Sequence, residues 1–209
     1  MTTTFLLIRH GQTEFNANGR WQGHLDVPLN ETGQAQAQAL ARRLAHWPVA
    51  ALYTSDLQRA AMTAVPLAEV WGVTPIYDPA WRERHVGVFE GRTRDELQQA
   101  YPEVWANMRK GILDIPGGEN QQTLQSRAAA AYQKIVAVHL DEMVAVVSHG
   151  GTLNALVSYV LGIPSDQFGR LNFHGNTGLT IIEINDRGPR LTMLNDIRHL
   201  ENGDYRFGG

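Results

Sequence analysis

Arg9-His10-Gly11 directly follows the apolar run Phe5 to Ile8. Ser148-His149-Gly150-Gly151 directly follows Met143 to Val147, and Arg59 lies one helical turn beyond a third run, Ala50 to Tyr53. Two imidazoles and two guanidinium groups without an interleaved carboxylate suit the capture of an anion. A phosphoryl group fits best, because guanidinium offers a planar fork of donors to phosphate oxygens. Helix N-termini after the second and third runs would add backbone N–H donors. Each residue alone has a plainer reading: a packed or solvated histidine, a surface arginine, a glycine-bearing turn. Their shared position carries the argument, since a charged or imidazole group set against an apolar run is costly to desolvate without a partner.

Other chemistries fit less well. Neither His10 nor His149 has a histidine at the i, i+4 spacing of helical metal pairs, and Arg9 would repel a cation, so no metal is expected. There is no Gly-x-Ser-x-Gly elbow, no Walker loop and no dinucleotide fingerprint. The chain has no cysteine, which removes disulfides, zinc thiolates, iron–sulfur clusters and thiol catalysis.

For these residues to meet, their strands must lie side by side with the same ends together. In open α/β sheets ligands bind beyond the carboxyl ends of the strands. The three apolar runs alternate with helical patterns. Leu40, Leu44 and Trp47 fall at i, i+4, i+7 in a helix over 34–47, with Thr32 as candidate cap. Ser55-Asp56-Leu57-Gln58 reads as a capping box opening the next helix, which Pro66 should kink. Leu124, Ala128, Ala131, Ile135 and Val138 form the stripe of a long helix starting near Asn120. A further helix runs from Gly151 to Leu161 and closes at Gly162 and Pro164. Runs over 179–184 and 190–194, joined by Asp186-Arg187-Gly188-Pro189, predict an antiparallel hairpin. The expected fold is a three-layer α/β/α sandwich with a mostly parallel, mixed sheet.

The 209 residues are 43% hydrophobic and 19% charged, which suits one folded unit over 1–209 rather than disorder or coiled coil. The stretch 77–119 reads as an excursion with short helices over the active site, and 201–209 as a weakly ordered tail. The net charge of −3 lacks the basic balance of a nucleic-acid binder. The N-terminal MTTTFLLIRHG has no basic lead and too short an apolar run for a signal peptide, and no stretch approaches ~20 apolar residues. No membrane partner is expected, and the location expected is cytoplasmic.

Five ordered motifs carry a resemblance. Leu7-Ile8-Arg9-His10-Gly11-Gln12-Thr13-Glu14-Phe15-Asn16 continues into Gln22-Gly23-His24-Leu25-Asp26-Val27-Pro28-Leu29-Asn30-Glu31-Thr32-Gly33. Ser55-Asp56-Leu57-Gln58-Arg59-Ala60 follows, then Glu83 with Gly87 and Glu90-Gly91, then Pro116-Gly117-Gly118-Glu119, and finally Ser148-His149-Gly150-Gly151. Together they resemble the histidine phosphatase superfamily, the phosphoglycerate mutase-like family, from about residue 5 to residue 200. The resemblance implies a phosphohistidine intermediate with His10 as nucleophile and Glu83 as proton donor. It implies that Arg9, Arg59 and His149 clamp the phosphoryl oxygens, and that Asn16 and the Gly150 N–H contact the phosphate. Gln22 and Gly23 fall in the motif loop, and Arg94 near a basic substrate-contact position. The substrate class implied is a small phosphorylated metabolite, with no resident cofactor. By spacing alone Glu83 is a solvated carboxylate between Arg82 and Arg84; the resemblance is what makes it a candidate acid. Trp21, close to the motif loop, is a candidate pocket wall.

The family divides into phosphatases and cofactor-dependent mutases. Glu83-Arg84-His85 looks mutase-like, whereas Trp21-Gln22-Gly23 and Phe89-Glu90-Gly91 resemble the phosphatase pattern. Val86 departs from the tyrosine usual in mutases, and the short stretch from Gly91 to Pro116 lacks paired arginines. The expectation is a metal-independent phosphomonoesterase. The alternative is a phosphoglycerate mutase, which would need bisphosphoglycerate.

Overall fold

The computed structural model describes residues 2–109, 114–167 and 170–200. Its sheet has six strands: β1 Thr3–Arg9, β2 Val49–Thr54, β3 Ile76–Tyr77, β4 Met143–Ser148, β5 Leu179–Asn185 and β6 Gly188–Asp196. The order is β3-β2-β4-β1-β5-β6. The first four run parallel, β5 pairs antiparallel with β1, and β6 closes the hairpin antiparallel to β5. The expected mixed sheet and terminal hairpin are both present. The two-residue strand β3, where Tyr77 was read as the start of an excursion, is an addition at the edge.

Alternation along β1 shows why both faces must be covered. Leu6 and Ile8 join one apolar cluster with Leu40 and Leu44 of α2 (Glu31–Leu44) and Ala60, Ala64 and Leu67 of α3 (Gln58–Trp71). Phe5 and Leu7 join another with Ala128, Tyr132 and Ile135 of α6 (Gln121–Val138) and Leu153 and Leu156 of α7 (Gly150–Val160). Successive strand side chains point to opposite faces, so one strand serves both clusters. This is the three-layer α/β/α sandwich. Val138, the last residue of the predicted α6 stripe, is 68% exposed and lies outside the core.

Two helix starts differ from expectation. Asn30, not Thr32, caps α2 by accepting from the Gly33 N–H at 2.8 Å. Ser55 does not cap α3; its Oγ accepts from Leu57, and the first helical N–H, Gln58, is taken by Asp26 Oδ1 at 2.7 Å. A carboxylate 32 residues upstream outcompetes the local serine because the loop before α2 folds over that helix end. The helix then runs on through Pro66.

The excursion holds α4 (Arg94–Ala100) and α5 (Pro102–Arg109), packed on their own cluster of Val86, Phe89, Leu97, Trp105 and Ile115. A four-residue helix, α1 (Glu14–Ala17), completes the numbering. The predicted weak tail, 201–209, lies outside the described residues. No helix among the described residues is long and apolar enough to cross a membrane.

Candidate active site

The register of the sheet assembles the site. Arg9 pairs with Ser148 across β1 and β4, so His10 and His149 are the next residues on neighbouring strands. Their rings lie 5.1 Å apart. Ser55 leaves β2 beside Val147, which starts α3 close enough for Arg59 to reach His149. A cavity of about 650 Å³ opens here, lined by every residue singled out from the sequence except His149: Arg9, His10, Asn16, Gln22, Gly23, Arg59, Glu83, Arg94 and Gly150. His149 lies directly behind it, wholly buried against Arg59.

Hydrogen bonds fix the protons. His10 Nδ1 lies 2.7 Å from the Gly11 carbonyl, which can only accept, so Nδ1 carries the hydrogen. Burial, together with the Arg59 and Arg9 charges, holds the His10 pKa well below 6.5. The ring is neutral at pH 7 and Nε2 keeps its lone pair. Arg59 Nε donates to His149 Nδ1 at 3.1 Å, so the neutral His149 carries its hydrogen on Nε2. Its pKa is likewise held well below 6.5, by burial and then by Arg59. His149 Nε2 and Arg9 Nε are buried donors with no partner among the described residues. Such groups are costly unless an acceptor meets them.

Arg59 is wholly buried and anchored by the carbonyls of Leu25 and Gly23, each at 2.8 Å. Burial lowers its pKa from 12.5 to about 10, and it remains a cation at pH 7. Arg9 is held by the carbonyls of Phe173 and His174. Asn16 Oδ1 accepts from Thr13, and Gln22 Oε1 accepts from Thr13 Oγ1, which leaves both amide NH₂ groups to the cavity. The Thr13–Asn16 pair is a capping box on α1 that sequence inspection passed over.

Glu83 is not a solvated loop carboxylate. Its Oε2 accepts from the Gly151 N–H at the start of α7 at 3.2 Å, and its Oε1 from Arg84 N–H at 2.8 Å. A Cβ on Gly151 would stand 2.5 Å from Glu83 Oε1, so this approach requires glycine. The flanking arginines are employed elsewhere: Arg82 pairs with Asp56 at 2.6 Å and Arg84 Nε donates to the Glu119 carbonyl. Four side chains from other elements hold the Glu83 backbone segment. Arg127, paired with Glu119, donates to the carbonyls of Ala80 and Arg82; Ser148 donates to Trp81; Thr152 donates to Arg82; His24 Nε2 donates to Glu83 itself at 2.7 Å. Nothing local in the sequence pairs these four with residue 83. Among the described residues no three His, Asp or Glu side chains gather as a metal site.

Residues 5–197 match the histidine phosphatase superfamily, branch 1. The chain belongs to that superfamily. A metal-independent phosphoserine phosphatase of Arabidopsis thaliana is 35% identical over 204 residues, covering 95% of this chain and 83% of its own. A probable phosphoglycerate mutase of Photorhabdus laumondii is 36% identical over 206 residues, covering 93% and 94%. A mycobacterial glucosyl-3-phosphoglycerate phosphatase solved with VO3 has a TM-score of 0.85 at 31% identity, over 92% of this chain and 98% of that one. In this superfamily member, as the sequence pattern predicts, the strand ends of β1 and β4 and the first turn of α3 converge on one cavity.

Two outcomes follow from the geometry. Arg59→Ala should reduce turnover roughly 10²–10³-fold, the usual cost of losing one preorganised donor to a developing oxyanion. Steady-state rates on protein shown by its melting curve to be folded would check this, and a nearly unchanged rate would mean that Arg59 is a structural anchor alone. The second concerns pH. Below about pH 6.5 the unfolded chain binds protons on histidine that folded His10 and His149 refuse, so stability is retained above that pH and falls below it. The two together give a limiting slope of about 2.7 kcal/mol per pH unit. Denaturant unfolding of ligand-free protein between pH 7.5 and 5.5 should show the decline; a flat profile would contradict the depressed pKa values.

Proposed function

We propose that this histidine phosphatase is a phosphomonoesterase working through phosphohistidine at His10, without metal or resident cofactor. The carrying observation is two buried donors without partners among the described residues, Arg9 Nε and His149 Nε2, beside an imidazole whose Nε2 is kept unprotonated. In this reading His10 Nε2 attacks phosphorus as neutral imidazole. Arg9, Arg59 and His149 meet the equatorial oxygens, where charge builds in the transition state. Glu83 acts as general acid to the departing alkoxide and then, as general base, takes a proton from the water that attacks phosphohistidine. The phosphatase names among the relatives support hydrolysis as the outcome.

A mutase reading is favoured by the phosphoglycerate mutase names among the relatives and by Arg94, which lines the same cavity. It would need bisphosphoglycerate, whose second charged end would meet Arg94; Arg20 is already engaged by Glu96 and the Gly91 carbonyl. A panel of phosphorylated metabolites, assayed with and without bisphosphoglycerate, separates the two. The expected result is phosphate release that ignores both bisphosphoglycerate and EDTA, with an acid-labile, base-stable labelled enzyme. Isomerisation dependent on bisphosphoglycerate would establish the mutase, and activity lost in EDTA and restored by one metal would overturn the mechanism.

A further inference from the structure

Beyond the phosphate end, the cavity changes character. Its remaining wall carries Trp21, Val86, Trp105, Met108, Leu171 and Phe173, with Arg20, Arg84, Arg94, Asn154 and His174 between and around them. Val86 is 3%, Phe173 5% and Trp105 9% exposed, so these side chains are fixed by packing rather than free to fold away. Glu83 is the sole carboxylate in the lining among the described residues. Of the cations around this outer part, Arg20 pairs with Glu96 and the Gly91 carbonyl, Arg84 Nε donates to the Glu119 carbonyl, and Arg94 lies with its guanidinium 5.9 Å from the centroid of the Trp105 ring. A volume of about 650 Å³ falls in the range that encloses a drug-sized ligand, far more than a three-carbon acid phosphate fills.

We propose that this outer chamber binds the alcohol part of the substrate as an apolar body, so that the enzyme prefers phosphate monoesters of aryl-bearing or branched, bulky alcohols over small phosphorylated hydroxy acids. The proposal rests on the phosphomonoesterase reading and names its substrate class. The physical basis is transfer of apolar surface from water into a preformed apolar wall, which favours substrates in proportion to the area they bury. The division of labour follows the fold. The phosphate end is made by strand ends and the first turn of α3, whereas Trp105 and Met108 come from α5 in the excursion. The excursion rests on its own apolar cluster and can therefore shape selectivity without moving the clamp.

The test compares 2-phenylethyl phosphate with n-propyl phosphate, using the full chain. Both are primary alkyl esters of similar leaving-group basicity, so their difference reads binding rather than chemistry. Phosphoserine and 3-phosphoglycerate serve as small-acid comparators. The phenylethyl ester is expected to show kcat/KM at least tenfold above the other three, chiefly through KM. Trp105→Ala and Met108→Glu should each drive the phenylethyl-to-propyl ratio toward one. Met108 is half-buried, so its substitution keeps the test valid if removal of Trp105 disrupts the excursion. Equal or better use of the small acids, or a ratio untouched in a folded Met108→Glu enzyme, overturns the chamber while the phosphatase reading stands. No hydrolysis of any ester and no phosphoenzyme would remove both.

Discussion

His10→Ala should lose turnover by roughly 10⁴-fold or more, the scale expected when a covalent nucleophile is removed. Wild-type protein incubated with a labelled phosphomonoester and quenched should carry acid-labile, base-stable label, and the variant should carry none. The reason lies in the proton inventory. His10 donates through Nδ1 to Gly11 and is kept neutral by burial and two guanidinium groups, so Nε2 is the available nucleophile at the cavity. His149 cannot replace it, because its Nδ1 is occupied by Arg59 and its Nε2 carries hydrogen. The variant should remain folded, since the core clusters on both sheet faces exclude His10. Labelling that persists in His10→Ala would place the phosphoryl group elsewhere.

Glu83→Gln should separate two kinds of substrate. A sugar or alkyl alkoxide leaves poorly without a proton, and general acid catalysis is worth up to about 10⁴-fold. Hydrolysis of alkyl phosphates should fall by that order, whereas phosphoryl transfer from p-nitrophenyl phosphate, whose phenolate leaves unaided, should change far less. Water attack on phosphohistidine also needs a base, so with the aryl substrate the variant should accumulate phosphoenzyme. The geometry supports both steps. The Glu83 carboxylate lines the cavity and is fixed against the glycine start of α7, and glutamine keeps its shape. Rapid-quench single turnovers would decide it. Equal losses for alkyl and aryl esters, with no trapped intermediate, would leave the proton donor unassigned.

Much of the site was legible because desolvation is local. An imidazole or guanidinium abutting an apolar run, as at Arg9-His10 or His149, announces a strand end that needs a partner. The alternation of apolar runs with helical stripes likewise announced a covered, mostly parallel sheet. Where the reading missed, the deciding contact was distant in sequence. Ser55 looked like the cap of α3, yet Asp26 supplies it from the loop before α2. Glu83, between two arginines, looked solvated by spacing alone, and the motif resemblance was what marked it as an acid.

The order of residues along the chain already marks the candidate anion-binding groups, the layered fold and, through ordered motifs, the superfamily. Those features follow from neighbours along the chain: periodicity, strand-end placement and composition. Packing sets the tautomers of His10 and His149, turns Glu83 toward the cavity and assembles the outer wall. Each depends on atoms brought together from separate elements. The Gly11 carbonyl and Arg59 set the ring protons, Arg127, Ser148, Thr152 and His24 hold the Glu83 segment, and α5 lays Trp105 and Met108 across a pocket whose base is built by β1 and β4. Hydrogen-bond direction and cavity shape are properties of packed atoms, and the order of residues does not carry them.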